Sequence, residues 1–172
     1  EPNDEVFDLL ENNIKNFPKQ KAFKALITDK DNEIYDFRIT DDRGGASSIY
    51  KLDLHHKMFK GINESKIIKI KSKTLSTFIE ENQINLEKYN FLNMDTQGSE
   101  LLVLKGSSHI LNRFIYIKSE ASDFELYEGN PKINDIKKFL ASFNFSCIYL
   151  VKVKSLAKVG SIYEVIFRKK KS

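Results

Sequence analysis

Two acidic residues stand directly after short apolar runs in this chain: Asp95 after Tyr89 to Met94, and Glu120 after Phe114 to Ser119. Ligands of open α/β sheets bind at the carboxyl ends of the strands, so an acid just past a predicted strand is a first candidate for binding or catalysis. Asp95 leads through Thr96, Gln97 and Gly98 toward a predicted helix. It either caps the free N–H groups of that helix or faces a ligand. Glu100, one residue further into the helical turn, reads as a surface acid favoured by the helix dipole. Glu120 is followed by Ala121, Ser122 and Asp123, and a carboxylate there can orient a substrate hydroxyl or act as a general base. His56, adjacent to His55 in an expected loop, is a further candidate base. With three histidines, one cysteine and no HxxxH or HExxH spacing, no zinc site is expected.

The elements that position these residues follow from periodicity. Asn3 precedes Asp4 and Glu5, and Phe7, Leu10, Ile14 and Phe17 then recur at helical spacing, which predicts an N-capped helix ending near Pro18. Ala22 to Thr28 and Glu33 to Thr40 are β-like runs around the turn-rich Asp29-Lys30-Asp31-Asn32, and they read as an antiparallel hairpin. Residues 43 to about 61 read as irregular. A short strand near Ile67 to Ile70 and a helix from Leu75 to Asn82 follow. From residue 89 the order is β, α, β, α, β, β, an α/β pattern that predicts a mostly parallel sheet with an antiparallel C-terminal edge.

Composition narrows the class. A length of 172 residues predicts a single domain, and 41% hydrophobic with 30% charged residues excludes disorder, while no apolar run approaches the roughly 18 residues of a membrane span. The net charge of +4 resides in Arg168, Lys169, Lys170 and Lys171; the rest balances at 24 basic against 24 acidic residues. That block reads as a solvated tail, and the aromatics sit at core periodicities, so no nucleic-acid partner is expected. Cys147 lies in an apolar run and reads as core, compatible with a reducing, cytoplasmic setting. The seven glycines form neither GxGxxG nor a P-loop, and no serine sits in a GxSxG elbow.

The string from Asn90 to Leu111, NFLNMDTQGSELLVLKGSSHIL, resembles the signature of the FkbM-type methyltransferases: a strand ending in Asp, then x-[Glu/Gln]-Gly-x-Glu, then a helix with a Lys-Gly step. Further pieces resemble the family in the same order: Glu1-Pro2 with Leu10 and Asn13, Ala25 to Asp29, Ala46-Ser47-Ser48, Lys73 to Ser76, and Ile115 to Gly129 with Glu120. Gln97 stands where Glu is commoner, Ser99 where Ala is, and Ser76 where Asp is.

The resemblance implies a Rossmann-like class I fold and transfer of a methyl group from S-adenosyl-L-methionine to a hydroxyl of a sugar, glycan or other small molecule. It implies ribose binding by Glu1, a position near adenine for Asp29, a position near the methionine end and the acceptor for Asp95, and a place beside the acceptor pocket for Glu120. No metal is implied. It also implies a first strand, a glycine-containing turn and a helix ahead of Glu1, roughly 30 to 40 residues, so the domain is expected to be N-terminally truncated, with open edges between its halves. The alternative is a degenerate methyltransferase fold serving as a binding module without catalysis.

Overall fold

A computed structural model of the chain describes residues 1–171. Helix α1 spans Asp4–Ile14, and Asn3 caps it by accepting the Glu5 N–H at 3.1 Å, with Asp4 and Glu5 in the first turn as expected. Strands β1 (Leu26–Thr28) and β2 (Ile34–Thr40), the short helix α2 (His55–Met58), strand β3 (Glu64–Thr74) and helix α3 (Leu75–Glu81) complete the N-terminal half. The C-terminal half comprises β4 (Phe91–Met94), α4 (Glu100–Gly106), β5 (Tyr116–Ser122), α5 (Ile133–Ser142), β6 (Phe145–Leu156) and β7 (Gly160–Lys169).

The strands form two sheets, ordered β1-β3-β2 and β4-β5-β7-β6. Only β1/β3 and β4/β5 are parallel, whereas β2/β3, β5/β7 and β6/β7 are antiparallel, so the expected mostly parallel sheet is not what forms. The antiparallel C-terminal edge does form, because the turn between β6 and β7 is too short for a crossover.

The expected hairpin of the first two strands is also corrected: β3 lies between them. Its eleven residues are long enough to serve both, pairing Leu26–Thr28 with Ser72–Thr74 and reaching down the full length of β2. The residues that looked like a hairpin turn instead hold the β3–α3 junction. Asp31 accepts the Thr74 N–H at 2.7 Å and the Thr77 hydroxyl at 2.8 Å, and Ser72 donates to the Lys30 carbonyl at 2.7 Å.

The main core gathers Met94, Val103, Leu104, Leu111, Ile117, Ile136, Leu140, Val165 and Phe167 between the four-stranded sheet and helices α4 and α5. On α5 the buried positions are Ile133, Ile136 and Leu140, the stripe that the 3.6-residue period predicts. The N-terminal sheet joins this core through α4, where the Lys105-Gly106 step has its reason: a Cβ at Gly106 would run into the Thr28 carbonyl. Strands β1 and β4 each end their sheet. Beside β4 an apolar cleft of about 670 Å³ is lined by Leu10, Phe23, Phe78, Leu86, Phe91 and Leu92.

Cys147 is exposed, not core, because β6 is an edge strand whose register shifts between Cys147 and Tyr149. Nor do Arg168 and Lys169 form a frayed tail. Both belong to β7, and the Lys169 ammonium donates to the Asn112 carbonyl at 2.8 Å. No helix among the described residues is long and apolar enough to cross a membrane.

Candidate active site

The chain leaves β4 in a tight turn. Gln97 and Gly98 both take left-handed backbone angles, φ 52° and 98°, conformations that cost a non-glycine residue free energy and persist only when surrounding contacts impose them. Glu100 supplies much of that constraint. Its side chain reaches back to accept the Thr96 N–H at 2.8 Å and the Gly98 N–H at 3.3 Å, and it is only 4% exposed. The expectation of a surface acid is thereby corrected: Glu100 is buried and closes the turn ahead of α4, and neither it nor Asp95 caps that helix, whose N-cap Ser99 makes no side-chain cap hydrogen bond. Burial pushes the Glu100 carboxyl above its ordinary value, and the backbone N–H groups oppose that rise. The sequence signal was its position two residues after Gly98, where a carboxylate can close the turn on itself.

Asp95 is exposed, and its Oδ1 accepts from Gln97 Nε2 at 2.5 Å. It lines a cleft of about 390 Å³ together with Glu1, Arg43, Gly44, Thr96 and Gln97. Two acids separated by most of the N-terminal half of the chain therefore face one space. Glu1 is itself anchored: its Oε1 accepts the Asn3 N–H at 2.8 Å, and its backbone nitrogen donates to the Phe23 carbonyl at 3.2 Å. Thr96 also lines the cleft, and its buried hydroxyl faces the Glu100 carboxylate.

Glu120 does not follow its strand as expected but lies inside β5, which runs on to Ser122, and it borders a second, smaller space with Gln97, Gly98, Glu100 and Tyr127. Gln97 lines both spaces. Burial, and after it the charges of Asp95, Glu100 and Glu164, push the Glu120 carboxyl up to about 7. A carboxylate with that value is half-protonated at neutral pH and can both take and return a proton.

The remaining candidates lie elsewhere. Asp29 faces a separate cleft with Ser76, Lys105 and His109. His56 is exposed on α2 and does not line the Glu1–Asp95 cleft, while its neighbour His55 is buried and stacked on Phe59 at 4.7 Å between ring centroids. The segment read as irregular thus contains one helical turn. Sequence reasoning passed over Tyr127, whose ring is 1% exposed and whose hydroxyl donates to Gln97 Oε1 at 2.6 Å. No group of three or more His, Cys, Asp or Glu among the described residues is arranged to hold a metal ion.

Residues 1–147 match the family described as the methyltransferase FkbM domain. The 2-O-methyltransferase NoeI of Sinorhizobium fredii (strain NBRC 101917 / NGR234) is 28% identical over 131 residues, which cover 73% of this chain and 53% of that protein. The chain therefore spans about half the length of the curated relative it matches. No solved structure matches it significantly. With 147 of its 172 residues accounted for, the chain belongs to the FkbM methyltransferase domain family.

Proposed function

We propose that this chain is the larger part of an S-adenosylmethionine-dependent O-methyltransferase domain of Rossmann-like class, acting in the cytoplasm on a hydroxyl of a sugar or other small molecule. The observation that carries this reading is the shared cleft of Glu1 and Asp95. Its volume of about 390 Å³ falls within the range of small-molecule sites, and acidic, basic and amide side chains line it. The residues present fit the cofactor. A carboxylate such as Glu1 accepts hydrogen bonds from ribose hydroxyls, and Asp95 places negative charge where a sulfonium gains from it. Asp29, which lines a separate cleft, has no part in this reading.

When bound, S-adenosylmethionine supplies an electrophilic methyl group. Glu120 is the proposed base: it would take the proton that the acceptor hydroxyl releases when it receives the methyl group. Its raised value suits that role better than the exposed His56 does. That the relative is a 2-O-methyltransferase supports an oxygen acceptor. The open edges of β1 and β4 support completion of the domain by further strands.

Calorimetry with S-adenosylmethionine tests the reading on this chain and on a form extended ahead of Glu1. Binding is expected to be weak in the first and at least tenfold tighter in the second. Failure of both to bind would overturn the methyltransferase reading and favour a binding module that lacks catalysis.

A further inference from the structure

We propose that Tyr127 is a positioning residue of the cleft: its hydroxyl fixes the Gln97 side chain, and Gln97 in turn fixes which oxygen of Asp95 faces the ligand. What the ligand is rests on the methyltransferase reading; the relay itself is geometric. The Tyr127 hydroxyl donates to Gln97 Oε1 at 2.6 Å, and Gln97 Nε2 donates to Asp95 Oδ1 at 2.5 Å. The chemistry of the end group sets the direction. An ionised carboxylate only accepts, so Gln97 must turn its NH2 group to Asp95 and its carbonyl to Tyr127, and the phenol must donate. The one phenolic proton has a second acceptor, the Ala46 carbonyl at 3.4 Å, but the shorter bond to Gln97 takes it. Burial, followed by the charges of Glu100, Glu120 and Asp95, keeps the phenol protonated far above neutral pH, so this donor does not titrate away.

Both ends of the relay are held. Ser48 Oγ donates to the Gln97 carbonyl at 2.7 Å, which helps fix its left-handed backbone. The Tyr127 N–H donates to Asn130 Oδ1 at 2.9 Å, and the His55 ring lies over the phenol at 5.2 Å. Three segments of the chain therefore converge on one buried ring, and its single polar atom is spent on the residue that touches Asp95. With Oδ1 engaged, Oδ2 is the oxygen left to the cleft. The charged groups around the relay are Glu1 and Arg43 across the cleft and Asp42, Glu100 and Glu120 behind it; the variants below alter none of them.

The test is hydrogen exchange of the Gln97 side-chain amide, read by NMR in the full chain, with binding of S-adenosylmethionine measured alongside. Tyr127→Phe keeps the ring and removes the donor. It should speed Gln97 amide exchange severalfold, because the amide no longer has a preferred orientation, and raise Kd for S-adenosylmethionine about tenfold. Unchanged exchange overturns the proposal. Gln97→Ala removes the middle of the relay and should weaken cofactor binding to a similar degree, and adding Tyr127→Phe to it should weaken binding no further. A further loss of about tenfold in the double variant overturns the proposal as well, because Tyr127 would then act independently of Gln97. If exchange quickens as stated while neither wild type nor variant binds the cofactor, the relay is supported and the methyltransferase reading fails instead.

Discussion

The four-stranded sheet and the three-stranded sheet are held by different forces. Every member of the main core, from Met94 to Phe167, lies in the β4–β7 half, where α4 and α5 cover one sheet with interlocking aliphatic side chains. The β1-β3-β2 sheet contributes Leu26 and Phe37 as its fully buried apolar strand residues. It is joined to the other half by the close approach of α4 to β1 and by two polar ties, Ser76 to Gly106 and Ser48 to Gln97, while Asp31 ties its own β1–β2 connection to Thr74 and Thr77. One half is therefore specified by burial and the other by its attachments. The Glu1–Asp95 cleft lies on the seam between them, so the geometry of the candidate site depends on the weaker of the two.

That contrast can be broken from the strong side first. Leu104, fully buried on α4, should cost about 2 to 5 kcal/mol when changed to Ala, enough to remove a large share of a typical domain's stability. Urea unfolding followed by circular dichroism measures it. Both halves should lose structure together.

Gly106→Ala attacks the attachment instead, since its Cβ has only the Thr28 backbone to displace. The expected cost is about 1 to 3 kcal/mol. Native-state hydrogen exchange should show protection falling in β1 and β3 with little change in β5 and β7. An even loss across all four strands would show that the two sheets form one cooperative unit and that the contrast drawn here is false.

Glu120→Gln sharpens the comparison through pH. The folded-state value of Glu120 is raised to about 7 from an ordinary 4.5, so the native chain holds a proton that the unfolded chain has released. Stability must then fall as pH rises from about 4.5 through 7. In Glu120→Gln that decline should flatten, read as the melting temperature at pH 5 and pH 8.

The smallest expected effect is that of Asp31→Asn, whose group is exposed. The Thr74 N–H, and to a lesser extent the Thr77 and Thr74 hydroxyls, hold the Asp31 carboxyl below its ordinary value of 3.8. Here the sign is reversed: the contribution is present above pH 3.8 and is lost as pH falls below it. The variant should therefore lose stability at neutral pH and show a shallower acid transition, by thermal melts between pH 3 and 6.

The helices were legible because each carries its own instructions. Asn3 with Asp4 and Glu5 announces the start of α1, and Ile133, Ile136 and Leu140 announce the buried face of α5. The strands were legible as strands but not as partners. β1 and β2 are neighbours in sequence around four turn-forming residues, yet their side chains do not say that a third strand will enter between them. Cys147 misled for a related reason. An apolar run reads as core whether or not its strand ends at the sheet's edge, and edge position is a property of the assembled sheet.

The site divides in the same way. By residue type and position at strand ends, the sequence alone determined that Asp95 and Glu120 were worth watching, and its ordered motifs pointed to the FkbM methyltransferases. Tertiary structure decided what each acid does. It buried Glu100 and set it to closing the turn, and it left Asp95 free to face a cleft with Glu1. It also raised Glu120 by desolvation and brought Tyr127 from a distant loop to the one residue that touches Asp95. The physical reason is range. Caps, turns and helical periods act over a few residues and are written locally, whereas desolvation and hydrogen bonds between segments exist only after the chain has brought its distant parts together.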